Sequence, residues 1–449
     1  MIITATTPGL ETHFQQMVSA LCDRCSAEEQ VRLNFLGEQS QFIRFNQAKV
    51  RQIGTVRDGQ LTLTLMTQQR NAAQTIPVTG VWDQDWATLL DAFDALRRDV
   101  PQLPTDPFEV VPSGSATSTE THPGKIPAPK YAADLILSPV VNLDFTGLYA
   151  GGTVMRGYAD SAGQYHWFST DSFTLDYSIF TTSGQAVKGT YAGRHWQPDR
   201  YLDQLEAAKQ QLERLAQPPK SIAKGAYRTY FAPAALAELV GMMAWGSFSE
   251  SSLRRGGSAL GLLKSGEKSL SPLLTMTENF SHGLVPRFNQ QGEIAPTQLP
   301  LIEQGKLVNT LVNSRTALEY GAIANGANDW EGMRSPEVAP GSLSADQILL
   351  TLGTGLYVSN LHYLNWSDRP NGRVTGMTRY ACFWVEDGAI VAPIENLRFD
   401  DSIYHCFGDQ LVALTDTPVF VPEVGTYDHR SLGGMWVPGA IVDEFVYTL

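Results

Sequence analysis

At 449 residues the chain exceeds what one hydrophobic core organises, so two or three domains are expected. Apolar residues make up 43%, with 9 Trp, 16 Tyr and 19 Phe, which excludes a disordered polypeptide. Lys and Arg number 33 against 46 Asp and Glu, a net charge of -13 with no basic block, so the cationic stripe that nucleic acid binding requires is absent.

The first residues, MIITATTPGLETHFQQM, lack the charged and apolar regions of a signal peptide, and no segment approaches 18 uninterrupted apolar residues. A soluble cytoplasmic protein without membrane contact is the expectation. Phe14, Met17, Val18 and Leu21 keep helical spacing and predict a helix over residues 11–24. Cys22 and Cys25 form a lone CxxC at its end, read as two reduced thiols, while Cys382 and Cys406 stand apart. VRLNFLGE, SQFIRFNQAKVRQIGTVRDG and QLTLTLMTQQ alternate as strands, with hairpin breaks expected at Gly54 and at Asp58 and Gly59. A second helix is predicted over 86–100 from Trp86, Leu89, Leu90, Phe93 and Leu96. Residues 1–100 thus read as an N-terminal α/β domain with an antiparallel sheet.

Residues 101–132 carry seven prolines and many Ser and Thr, a composition that predicts an extended linker. Strands return over 135–192, punctuated at Ser161, Ala162 and Gly163 and at Ser183 and Gly184. A helix follows over 201–217, with Leu202, Leu205, Leu212 and Leu215 on one face and Pro218 and Pro219 as its stop. Residues 133–222 are expected to pack with the N-terminal domain. The remainder, 223–449, is largely short alternating strands and predicts a β-barrel-like domain around one core. The fold class is α+β.

Residues 234–248, AALAELVGMMAWGSF, read from the residues alone as a buried amphipathic helix. The run also resembles the zinc-binding helix of the TldD/PmbA peptidase family, whose active members carry HExxxH there. The six positions are here Ala237, Glu238, Leu239, Val240, Gly241 and Met242, so only the glutamate is left. Ala237 has no donor atom, and the thioether of Met242 suits soft ions rather than zinc. Without a metal, water beside Glu238 keeps a pKa near roughly 15.7, too high for one carboxylate to make it a useful nucleophile. Positions five apart are about 140° apart on a regular helix, so a ligand pair there implies a helix end or a distortion. Gly241 is the expected irregularity and Gly246 the expected terminator.

The order of later segments is similar to the same family over roughly 130–449: LRRGGSALG, SPLLTMTENF, a long match through LIEQGKLVNTLVNSRTALEYG, GLYVSNLHYLNW and YACFWVEDGAIVAPIENLRF. Active relatives take a third zinc ligand from a cysteine in a Gly-rich stretch near the C-terminus. The counterpart is YDHRSLGGMWVPGA, which places Arg430 at the thiolate position. The resemblance therefore implies the PmbA (TldE) branch, which lacks the metal site and pairs with a TldD-like subunit in a heterodimeric protease acting on unfolded peptides. It implies no cofactor in this chain and zinc in the partner. Some relatives carry the name modulator of DNA gyrase, which the charge balance does not support. A different reading is a homodimeric peptide-binding or scaffold protein without catalysis; a third is a hydrolase with a site of its own.

Other chemistry is thin. His362, His405 and His429, with Asp401 and Asp428 near two of them, show no ligand spacing. GxSxG is absent, and Ser281 and His282, as sequence neighbours, do not by that fact face each other. Gly353, Thr354 and Gly355 lack the third glycine and lysine of a phosphate loop. Glu238 is expected to be solvated or paired with Arg254 or Arg255.

Overall fold

A computed structural model describes residues 7–449; residues 1–6, the start of the stretch read for a leader, lie outside the described residues. The first half of the chain builds one seven-stranded sheet from β1 (Gln30–Asn46), β2 (Lys49–Thr67), β3 (Arg70–Pro77), β4 (Thr117–His122), β5 (Asp144–Asp160), β6 (Tyr165–Phe180) and β7 (Ala186–Gly193). The order is β3-β2-β1-β5-β6-β4, with β7 also pairing β6. All pairings are antiparallel except β4 on β6. β1 lies directly against β5, so the segments before and after residues 101–132 share one sheet. The Pro-rich stretch between them contributes the edge strand β4.

The hairpin turns differ from expectation. Gly54 and Gly59 sit inside β2, opposite Phe42 and Gly37. The chain reverses instead at Gln47 and Ala48 (φ 51 each) and at Gln68 and Gln69 (φ 49 and 58). Two-residue hairpin loops need positive φ at both positions, which Asn-Gly supplies most readily. Here long paired strands on both sides hold non-glycine residues in that conformation. The breaks expected at Gly163 and Gly184 do fall between strands.

Helix α1 (Thr7–Cys22) and α2 (Trp82–Asp99) cover one part of this sheet, burying Leu10, Phe14, Met17 and Leu21 of the first, and Leu89, Phe93 and Leu96 of the second, against β1, β2 and β5. Asp85 of α2 is buried because its carboxylate accepts from the Thr79 amide and hydroxyl, the Gly80 amide and His13 Nε2. Helices α3 (Ala132–Leu137) and α4 (Pro198–Leu215) cover another part. On α4 the buried face is Tyr201, Leu205, Ala208 and Leu215, while Leu202, expected inward, is exposed. Tyr201 takes its place because its hydroxyl donates to the Ile136 carbonyl while its ring packs inward.

The second half begins with β8 (Gly225–Phe231) and α5 (Pro233–Ala244). β8 is central in a nine-stranded sheet, flanked by strands 355–358 and 440–447, whose far edge is strand 360–368. A six-stranded sheet runs in the order 306–307, 298–303, 276–279, 336–338, 434–437, 419–422. Neither ladder closes on itself, so the barrel-like domain is two open sheets around a shared core. No helix among the described residues is long and apolar enough to cross a membrane.

Candidate functional site

The residues of the zinc-motif region lie on α5, which starts at Pro233, where a missing N–H costs nothing and the ring presets a helical φ. The helix is buried between the two sheets of the second half. It packs on strand 360–368 of one and on strands 419–422 and 434–437 of the other. Leu236, Leu239, Val240 and Met243 face that core, and so do Ala237 and Met242. Ala237 is 5% and Met242 6% exposed. The helix runs through Gly241 to Ala244 without the expected irregularity, its Trp245 amide still donating to the Gly241 carbonyl. Termination at Gly246 (φ 76) agrees with expectation.

The opposite face of α5 is open: Ala234, Glu238, Gly241 and Trp245 follow one another at helical spacing and are half-buried or exposed. Glu238 does not pair with Arg254 or Arg255, which bond instead to Glu250 and to Ser251. The surrounding protein removes part of its hydration and Glu423 adds repulsion, so the Glu238 carboxyl is raised above the usual carboxylate range although the side chain reaches solvent. Trp245 is 65% and Trp330 75% exposed beside the end of the helix, where the Met333 amide donates to the Ala244 carbonyl.

Arg430 bonds with residues of the first half of the chain. It lies in the loop 423–433 and is 2% exposed, its side chain turned into the sheet of the first half. Its guanidinium donates to the carbonyls of Ser172 and Gly152 and to the Ser172 hydroxyl, and its amide donates to Glu38. The Glu38 carboxylate, itself buried, faces the guanidinium at 3.8 Å. Burial lowers the Arg430 pKa, and Glu38 partly restores it.

These three positions do not fit zinc: a methyl group, a thioether embedded in the core and a guanidinium already donating three hydrogen bonds offer no tetrahedral donor set. Among the described residues no group of three His, Cys, Asp or Glu gathers in metal-holding proximity.

The sequence matches the family model of the PmbA/TldA metallopeptidase C-terminal domain over residues 224–448. The chain belongs to the TldD/PmbA family. Its fold is similar to three solved structures. They are a proposed modulator of a DNA gyrase from Thermotoga maritima (15% identity, TM-score 0.77, 98% of this chain and 100% of that one), TldE from Thermococcus kodakarensis (14%, 0.76, 97% and 100%), and a proposed modulator of DNA gyrase from Bacteroides thetaiotaomicron (15%, 0.75, 97% and 98%). No curated sequence matches the chain.

Within this TldD/PmbA fold a cavity of about 330 Å³ separates the two halves of the chain beside α5. Gly189 and Thr190 of β7, Gln204 and Gln211 of α4, and Pro233 and Ala234 of α5 line it, with strand 419–422 as the facing wall. Among the described residues β7 and strand 419–422 are each paired on one side only. Ala234, which lines the cavity, stands one turn before Glu238 on the open face of α5. Sequence reading missed this slot, because its walls are far apart in the chain and show only as alternating strands.

It also missed a His-Glu pair. Glu337 accepts from His282 Nε2 and Asn279 Nδ2, both at 2.7 Å, while Trp436 stacks on the imidazole. Ser281 donates to Asn279 Oδ1 rather than to His282, so these two neighbours form no nucleophile–base pair. His405 pairs with Asp401, and His362 lies against Tyr363; the structure does not gather them with His429.

Proposed function

We propose that this chain is the metal-free, TldE/PmbA-like subunit of a cytoplasmic TldD/PmbA-type metalloprotease that processes unfolded peptides. A TldD-like partner supplies the zinc and its activated water, and this chain supplies a wall of the peptide channel. The observation that carries the reading is the fate of the three ligand positions. Ala237 and Met242 are core side chains, and Arg430 is committed to Glu38, Gly152 and Ser172. The likeness to TldE supports the same branch.

Substrate enters this reading through backbone chemistry. An extended peptide laid along a one-sided strand edge bonds through its main chain and tolerates many sequences, which suits a degradative complex. The slot beside β7 and strand 419–422 has that character, and further along the open face of α5 Glu238 offers a carboxylate and Trp245 an exposed aromatic face.

The test mixes the purified chain with a family member whose HExxxH is intact. A complex on size exclusion that cleaves casein peptides is expected, with no cleavage by this chain alone. Stoichiometric zinc in the lone chain, together with chelator-sensitive cleavage, would overturn the proposal. Self-association with peptide capture and no cleavage in the mixture would support the homodimeric scaffold instead.

A further inference from the structure

The hairpin of β1 and β2 outruns its sheet. β3 covers only the second part of β2, pairing residues 60–67. The stretch 49–58 therefore has ladder pairing to β1 alone, and its outer edge has no ladder partner among the described residues. The outward N–H and C=O groups of such an edge are a template for another strand. Residues 49–57 are all exposed, with Val50, Ile53 and Val56 at 43%, 56% and 38%.

The two faces of this edge differ in chemistry. Ile53 stands opposite Ile43 and Val50 opposite Phe45, and both partners are buried, so this face carries an apolar surface past the margin of the core. On the other face Gln52 stands opposite Arg44 and Lys49 opposite Asn46. The register shift between Arg44 and Phe45 puts Arg51 in a bulge, and Arg44, Arg51 and Lys188 line an open cavity of about 500 Å³. The acid in that lining, Asp176, is already paired with Lys188.

Cations on an edge also discourage aggregation. That role alone does not explain three exposed β-branched apolar residues, which such protection would remove. Nor does a second copy suit the edge. Two-fold antiparallel pairing about Ile53 would set Lys49 opposite Arg57 and collect the cations of both copies on one ribbon, and like charges facing each other destabilise a sheet. In a chain of net charge -13 this basic edge is matched instead by an acidic counterpart.

We propose that residues 49–57 are a docking strand for an extended segment of a different protein in which apolar residues alternate with Asp or Glu. Its apolar side chains would meet Val50 and Ile53, and its carboxylates would meet Lys49, Arg44 and Arg51. This goes beyond the peptidase reading and stands or falls separately from the cleavage assay.

The test uses the full chain and two capped nine-residue peptides, one alternating Val with Glu and one alternating Val with Lys. Fluorescence anisotropy is expected to show the Glu peptide binding at least about ten-fold tighter, about 1.4 kcal/mol or more, with affinity falling as salt is added. Hydrogen exchange is expected to slow at amides within 49–57. The double variant K49E/R51E, at exposed positions, should reverse the preference without changing the melting temperature. Equal binding of both peptides, protection confined to other strands, or an unreversed preference would overturn the proposal. So would a lone chain that is already a dimer with 49–57 protected.

Discussion

Helix α5 carries Ala237 and Met242 and the loop 423–433 carries Arg430, the three positions that the family resemblance matched to zinc ligands, and opposite chemistries surround them. At α5 the setting is apolar: Ala237 and Met242 join a core in which dispersion and water exclusion do the stabilising. At Arg430 it is ionic: a buried guanidinium from the second half satisfies carbonyls of the first half and faces Glu38. The two surroundings differ in reach. One is ordinary packing within a domain, the other a polar clasp between the halves.

The contrast is sharpest if the clasp is cut. Arg430→Ala removes the guanidinium donors to the Gly152 and Ser172 carbonyls and the charge facing Glu38, at a cost of about 3–5 kcal/mol. A urea midpoint moved well down is the expected result, and an unchanged midpoint would break the comparison. Met242→Ala removes a buried side chain from a packed core and is expected to cost about 2–4 kcal/mol. Its signature is a lowered midpoint with no change in salt dependence, since no charge is involved.

The smallest effect belongs to the open face of α5. Burial first, and Glu423 second, raise the folded pKa of Glu238 above its ordinary 4.5. Stability lent by its protonated form is complete below that ordinary value and is lost as pH rises through the folded one. Glu238→Gln should therefore raise the melting temperature slightly at pH 7, and the gain should vanish below about pH 4. A gain that persists in acid would remove the charge-based explanation.

Much of this was legible in the chain, and what was not has a common cause. The α5 helix, its end near Gly246, the α4 helix before Pro218 and the turns at Gly163 and Gly184 follow from local signals of period and turn residue. The turns at Gln47 and Gln68 carry no glycine, so strand pairing rather than turn preference sets them, and Gly54 misled. Regularity at Gly241 was hidden for a related reason: packing on both sides of α5 holds a helix that glycine alone would loosen. The candidate site was legible as three positions but not as a geometry. Nothing local tells that Arg430 reaches Glu38 across 392 residues, or that Glu423 stands over Glu238.

β8 has one further consequence, for biosynthesis. It is hydrogen-bonded on one side to strand 355–358 and on the other to strand 440–447. A ribosome delivers β8 and α5 long before either neighbour, so a helix that is largely buried in the finished core emerges without its cover. The nascent second half is thus a natural client for chaperones until its final strand arrives, whereas the seven-stranded sheet has all its strands by residue 193.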